Sequence, residues 1–222
     1  MRLLYHFPID PASRLVRLVL AERRIEFALR EERVWERRAA FLDLNPSCEV
    51  PVLVESEGAT VVGAVPAAEY LDETTPGETL IGIGAPHRAE VRRLTAWFMN
   101  KFDRDVTRYL LDQKITNRLS GRGVPDATLI RAGLENLKLH LDYVAWLAEH
   151  RNWLAGDRFS LADIAAAAQL SVIDYLGDVP WDLRPAAKDW YQRIKSRPSF
   201  RPLLGDRVTG APPPAHYADL DF

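Results

Sequence analysis

The side chains that could do chemistry in this sequence gather in two short stretches, residues 5–13 and 48–51. Tyr5 supplies a phenol and Ser13 a hydroxyl, either of which could polarise a thiol, and Cys48 is the one cysteine of the chain. Two carboxylates lie near them, Asp10 and Glu49. A carboxylate beside a thiol opposes thiolate formation, because like charges raise the neighbour's pKa. Each group also has a plain structural reading: Ser13 as a helix cap, Tyr5 as an aromatic of a strand, Cys48 as a half-buried structural thiol. A lone cysteine excludes an intrachain disulfide framework and fits a reducing cytoplasm.

Two further stretches read as contact surfaces. In R-E-E-R-V-W-E-R-R, residues 30–38, Trp35 stands among charges. Tryptophan and arginine are the residue types enriched at protein-binding hot spots. Packing of Trp35 under a short helix is the alternative, and runs of charge are usually solvated. The chain finishes A-P-P-P-A-H-Y-A-D-L-D-F. Pro212 to Pro214 favour an extended, stiff conformation. Beyond them Leu220 and Phe222 could anchor in a groove while Asp219 and Asp221 meet basic groups, although terminal residues are commonly dispensable.

The elements that position these groups follow from periodicity. Residues 2–7 alternate as a strand that Pro8 and Pro11 break. A helix from Ser13 carries Leu15, Val16, Leu18, Val19 and Leu20, with Arg14, Arg17, Glu22 and Arg23 spread around them. A strand over Phe27 to Arg33, an irregular helix over Trp35 to Leu44, a strand pair at Val50–Val54 and Thr60–Val62, and a helix from Pro66 through Leu71 complete a βαβ-ββα order. Residues 74–86 are rich in turn formers. Helices are then expected at about 86–118, 126–150, 160–176 and 184–196. Ser160 and Asp163 form a capping box, Phe159 and Ile164 a hydrophobic staple, and Ala165 to Ala168 let that helix run through the middle of a bundle. The expected organisation is an N-terminal α+β domain over 1–78, a linker over 79–85, an all-α domain over 86–205 and a Pro-rich tail over 206–222.

At 222 residues the chain is long enough for a sizeable core. A hydrophobic content of 47% is ordinary, and a net charge of -2 argues against a generally basic nucleic-acid binder. The N-terminal apolar run is too short for a secretory signal, and no stretch approaches the roughly 20 apolar residues of a membrane span. The expectation is a soluble cytoplasmic protein with no nucleic-acid partner and no membrane insertion.

Four segments carry a resemblance: N-P-S-C-E-V-P-V-L at 45–53, G-A-T-V-V-G-A-V-P-A-A-E-Y-L-D-E at 58–73, L-A-G-D-R-F-S-L-A-D-I-A-A-A at 154–167 and W-Y-Q-R-I-K-S-R-P-S-F at 190–200. Together they are similar to the glutathione transferase superfamily, and the resemblance runs from residue 1 to about 205. It implies a thioredoxin-like N-terminal domain followed by an all-helical one. It also implies that Pro51 is cis, and that Val50 and Pro51 shape the loop whose backbone pairs with glutathione. Several glutathione-site positions depart from the family pattern. Setting V-R-L-V-L against the family's first helix puts Asp10 at the usual serine, with Ser13 available only after a register shift. Glu49 adds negative charge where the family is often non-acidic. In the family pattern E-S-x-A-I-x-x-Y-L, matching Tyr70 and Leu71 puts Gly63 at the acid and Ala64 at the serine. Burying the ligand's ammonium without its carboxylate partner leaves an unpaired charge, which typically costs several kcal/mol.

The expectation is therefore weak or absent glutathione binding, no cofactor, and no residue with a catalytic or metal-ligating role. The altered site, the V-W-E-R-R segment and the tail together resemble a bacterial cell-division subgroup of the superfamily. That likeness implies a non-catalytic homodimer, located at the division site, that binds FtsZ filaments and bridges, bundles or curves them. Trp35, Asp219, Leu220, Asp221 and Phe222 are the partner-binding candidates. Two alternatives stand beside it. One is a glutathione transferase or isomerase of small electrophiles, the other an adaptor for a different protein such as a polymerase or stress regulator.

Overall fold

Strand β1 (Arg2–His6) is the element on which the first domain is built. The computed structural model describes residues 1–220. β1 runs parallel to β2 (Phe27–Glu31), with Arg2 opposite Phe27. A parallel pair needs a crossover, and α1 (Pro11–Glu22) supplies it. A short 3-10 turn (Val34–Glu36) and helix α2 (Ala39–Leu42) then lead to β3 (Val52–Val54), antiparallel to β1 with Leu4 opposite Leu53. β4 (Thr60–Val62) adds to β3 and leads into α3 (Ala64–Thr74), giving the strand order β2-β1-β3-β4.

The expected order of elements holds, and the differences lie at the ends. β2 stops at Glu31, because Glu32 turns inward: its N–H donates to the His6 carbonyl at 2.8 Å and its carboxylate pairs with Arg38. The helix expected over 35–44 splits where Arg37 takes a left-handed φ of 47°. β3 starts after Pro51, which has no N–H to give the ladder, and Val50–Pro51 is cis. α3 begins ahead of Pro66, which sits in its first turn, where the N–H groups have no partner within the helix.

In the second domain α4 (Ala85–Ala96) continues through a π-wound segment (Trp97–Thr116) into a last turn, α5 (Asn117–Leu119). Helices α6 (Ala127–His150), α7 (Leu161–Tyr175), α8 (Pro185–Lys195) and α9 (Arg201–Leu204) follow. Every residue of α7 is buried. It packs against α1, α4 and the π-wound helix, and the alanines at 165–168 permit that close approach. Among the described residues no helix is long and apolar enough to cross a membrane.

One expectation is corrected. Arg14 and Arg17, read as charges around an amphipathic helix, are 0% and 5% exposed, at the junction of the two domains. The tail has the expected extended conformation at Pro214, with φ -64° and ψ 159°. It returns along α7 and α8 and places Tyr217 in the interior at 0% exposure, its hydroxyl donating to the Leu203 carbonyl at 3.0 Å.

The capping box of α7 is present, and Asp163 does more than cap. Its carboxylate accepts from the N–H of Leu154 at 2.9 Å, the N–H of Ser160 at 3.0 Å and the indole N–H of Trp190 at 3.0 Å. Orphaning a buried donor costs about 1–3 kcal/mol. Ser160→Ala should lower stability by about 1 kcal/mol, an ordinary cap loss. Asp163→Ala should cost at least about 3 kcal/mol, since several donors are orphaned together. Urea unfolding midpoints of the two variants would check this order.

Candidate functional site

The residues of the glutathione-type site come from the end of β1, the turn before β3 and the start of α3, and only part of them converge. Asp10 is the N-cap of α1; its carboxylate accepts the Ser13 N–H at 2.6 Å. Asp10, Glu49 and Val50 line one cleft of about 260 Å³, together with Asp103 and Arg108 from the π-wound helix. Arg108 is committed to Asp103 at 2.8 Å. Asp10 and Glu49 are thus the charges left to face a ligand. Burial pushes the Asp10 carboxyl up to about 6, against the Ser13 hydrogen bonds and with added repulsion from Asp103. At neutral pH it is still ionised, and the cleft repels the anionic tripeptide and its thiolate.

The hydroxyls that could activate a thiol lie elsewhere. Ser13 is 0% exposed, and its Oγ accepts the Phe7 N–H at 3.2 Å. It is the residue whose N–H is capped, not the cap, which corrects its sequence reading. Tyr5 packs in a separate cluster with Phe41, Cys48 and Val52, under the Arg30 guanidinium at 5.3 Å from its ring. Neither residue lines the cleft. Cys48 is buried, its thiol donating to the Val34 carbonyl at 3.3 Å.

At the α3 terminus the backbone itself bears on the missing acid. Gly63 has φ 91° and ψ 153°, a region open essentially to glycine, and its N–H is spent on the Pro51 carbonyl at 3.0 Å. A side chain at 63 has space, the nearest atom being Pro66 Cδ at 3.6 Å, but not the conformation. Ala64 is buried and the first turn of α3 carries no acidic residue.

Trp35 forms a second site. It lies in the 3-10 turn, half-buried, edge-on to Phe7 with ring centroids 5.2 Å apart. It borders a hollow of about 360 Å³ with Phe7, Leu119 and the Arg207–Thr209 segment that begins the tail. Arg33 beside it pairs with Glu31 at 3.4 Å and Glu36 at 3.6 Å. The structure therefore brings Trp35 to the tail's origin, and not to Asp219 or Leu220, which do not line that hollow. Asp219 is exposed and Leu220 partly buried; Asp221 and Phe222 lie outside the described residues. Sequence reasoning missed Asp103, Arg108, Leu119 and Val208, whose helix and tail positions gave no local sign of a site. It also missed Tyr217, whose aromatic ring in a polar, proline-rich tail was a usable signal of anchoring. No cluster able to hold a metal occurs among the described residues.

Two outcomes follow. Gly63→Ala should lower stability by roughly 1–3 kcal/mol through backbone strain alone, read from the denaturation midpoint. The folded pKa of Asp10 is above its unfolded value, so its ionisation opposes folding above about pH 6. Asp10→Asn keeps a capping oxygen and removes that charge. Its melting temperature relative to the unsubstituted protein should be more favourable at pH 7.5 than at pH 4, and a pH-independent difference would refute the assignment.

Comparison with known proteins agrees with this architecture. The glutathione S-transferase N-terminal domain model matches residues 11–74 and the corresponding C-terminal domain model residues 118–198. FtsZ-localized protein A of Caulobacter vibrioides is 50% identical, over 100% of this chain and 98% of its own. Glutathione S-transferase 3 of Zea mays is 28% identical, over 97% and 98% of the two chains. Among solved structures, a glutathione S-transferase from Rhodospirillum rubrum superposes with a TM-score of 0.97 at 51% identity, covering 100% of both chains. FzlA from C. crescentus gives 0.97 at 50% identity, covering 100% and 99%. With both domains matched and the interdomain packing accounted for by its own residues, the chain belongs to the glutathione S-transferase superfamily.

Proposed function

We propose that this chain is a non-catalytic cell-division protein that binds FtsZ at the division site and, as a homodimer, bridges, bundles or curves its filaments. The observation that carries this reading is the 50% identity to FtsZ-localized protein A along essentially the whole length of both chains. The acidic cleft supports the non-catalytic part. Asp10 and Glu49 face the space a glutathione would need, Ser13 and Tyr5 are withdrawn from it, and Gly63 has a glycine-only conformation. On this reading glutathione binds weakly or not at all and no cofactor is used. The protein acts in the cytoplasm without inserting into a membrane or binding nucleic acid.

The contact surface is assigned to Trp35 and to the last residues of the tail. Trp35 offers a half-buried aromatic beside Arg33, the combination that dominates protein interfaces. Two copies of a weak site on one twofold body become an avid crosslinker when both can engage at once.

Co-sedimentation of the full chain with FtsZ polymerised on GTP is the direct test. The unsubstituted protein should pellet with filaments, and Trp35→Ala should reduce that by at least about tenfold in affinity, the loss of an aromatic hot spot. The tail is best cut after Ala218, because removing Tyr217 would empty a core position. That truncation should also weaken co-pelleting while leaving a cooperative melting transition, since Tyr217 keeps its place in the core. Absence of co-pelleting by the unsubstituted protein defeats the reading. Tight glutathione binding in calorimetry, with thiol-conjugating activity, would restore the enzymatic alternative.

A further inference from the structure

A crevice of about 780 Å³ lies between the two domains, and none of its lining residues lines the Asp10 cleft or the Trp35 hollow. Its size is that of a small-molecule site. Four arginines reach it, two from each domain: Arg23 and Arg24 after α1, Arg158 before α7 and Arg197 at the end of α8. Arg197 is spoken for, held by both oxygens of Glu22 at 2.6 and 2.8 Å and stacked 4.1 Å from the Phe159 ring centroid. Arg23, with its side chain 6% exposed, pairs with Asp72 and donates to the carbonyls of Asp72, Thr75 and Glu78. Its Nε remains buried with no partner. Arg24 and Arg158 are exposed, and among the described residues neither side chain has a hydrogen bond or ion pair. The lining carboxylates are Glu22, taken by Arg197, and Glu78.

His87 also lines the crevice. The Nδ1 of His87 accepts the Ile83 N–H at 3.4 Å, so the ring proton sits on Nε2, which is buried without a partner. That ring can lie where it does because residue 82 is glycine at φ 91°: a Cβ there would stand 2.8 Å from Nδ1. The crevice thus presents two guanidinium forks against one uncommitted carboxylate, beside the apolar surfaces of Leu80, Ile83 and Phe159.

We propose that this crevice binds a phosphorylated small molecule, its phosphate held by the guanidinium groups of Arg24 and Arg158. Guanidinium forks match phosphate oxygens in pairs, and charge-assisted bonds of this kind are the strong ones. A tetrahedral phosphate can accept from several walls at once, whereas a planar carboxylate offers two oxygens in one plane.

Calorimetric titration of the full chain with inorganic pyrophosphate at low ionic strength tests the proposal. Saturable binding is expected, weakened at least about tenfold in the double variant Arg24→Ala/Arg158→Ala, whose melting temperature should not change because neither guanidinium is paired. Arg122→Ala, at an exposed arginine outside the crevice, should bind as the unsubstituted protein does. Absence of saturable heat, unchanged affinity in the double variant, or an equal loss in Arg122→Ala would each overturn the site. Citrate binding as tightly as pyrophosphate would overturn the phosphate assignment.

Discussion

One buried guanidinium joins the parts of this molecule. Arg14 is 0% exposed, and its Nε–H donates to the Pro8 carbonyl at 2.8 Å, one terminal nitrogen to Ser171 Oγ at 2.9 Å and the other to Asp206 at 3.2 Å. Pro8 belongs to the loop after β1, Ser171 to the central helix α7 and Asp206 to the start of the tail. The ring of Tyr217 lies 5.9 Å from the same guanidinium and that of Tyr175 at 5.8 Å. Arg17 adds two bonds to Asp206, at 2.8 and 3.0 Å. Removing one partner of such a set strands the others as uncompensated buried charge, which costs far more than the pairing gains. Loop, helix and tail therefore keep one arrangement.

That arrangement explains how the cleft could change while the fold stayed. The loop fixed at Pro8 carries Phe7 on one side, against which Trp35 packs, and Asp10 on the other, facing the cleft. Its geometry depends on Arg14 and on the Ser13 hydroxyl beneath it, not on what Asp10 contacts. Asp10 still caps α1, so a carboxylate at this position satisfies the helix whatever it does to a thiol. The groups that hold the loop point inward, while Asp10 both caps the helix and faces the cleft.

Much of the fold was legible because local chemistry and global packing agree. The Ser160–Asp163 cap, the alanines of α7 and the alternation in β1 each state their element directly. Element ends were less legible, since a left-handed Arg37 and an inward-turning Glu32 answer to tertiary partners. The buried arginines were misread for the same reason: a helix pattern places a charge outside unless its distant partner is known, and Asp206 is 192 residues from Arg14. The cleft was half legible. Asp10, Glu49 and Val50 meet as the family pattern implied, but Asp103 and Arg108 come from a helix wound more widely than α. On an α-helix a pair five residues apart points to different faces, and only the wider winding turns both to one side.

Tyr217 divides the tail into two parts with different physical duties. Its ring sits between Arg14 and Lys195, at 5.9 and 5.8 Å, and edge-on to Tyr175 at 5.3 Å, while the Tyr175 hydroxyl donates to the Ala211 carbonyl at 2.7 Å. Two cations flanking one aromatic face, inside a desolvated site, hold it more firmly than either would at the surface. Beneath it lies the buried pair of Lys195 and Asp174, 3.3 Å apart, which the tyrosine helps to keep from water. The segment up to Tyr217 is thus part of the domain, a lid on its ionic interior. The residues beyond it begin with the exposed Ala218 and Asp219, so contacts made there leave the anchor itself in place.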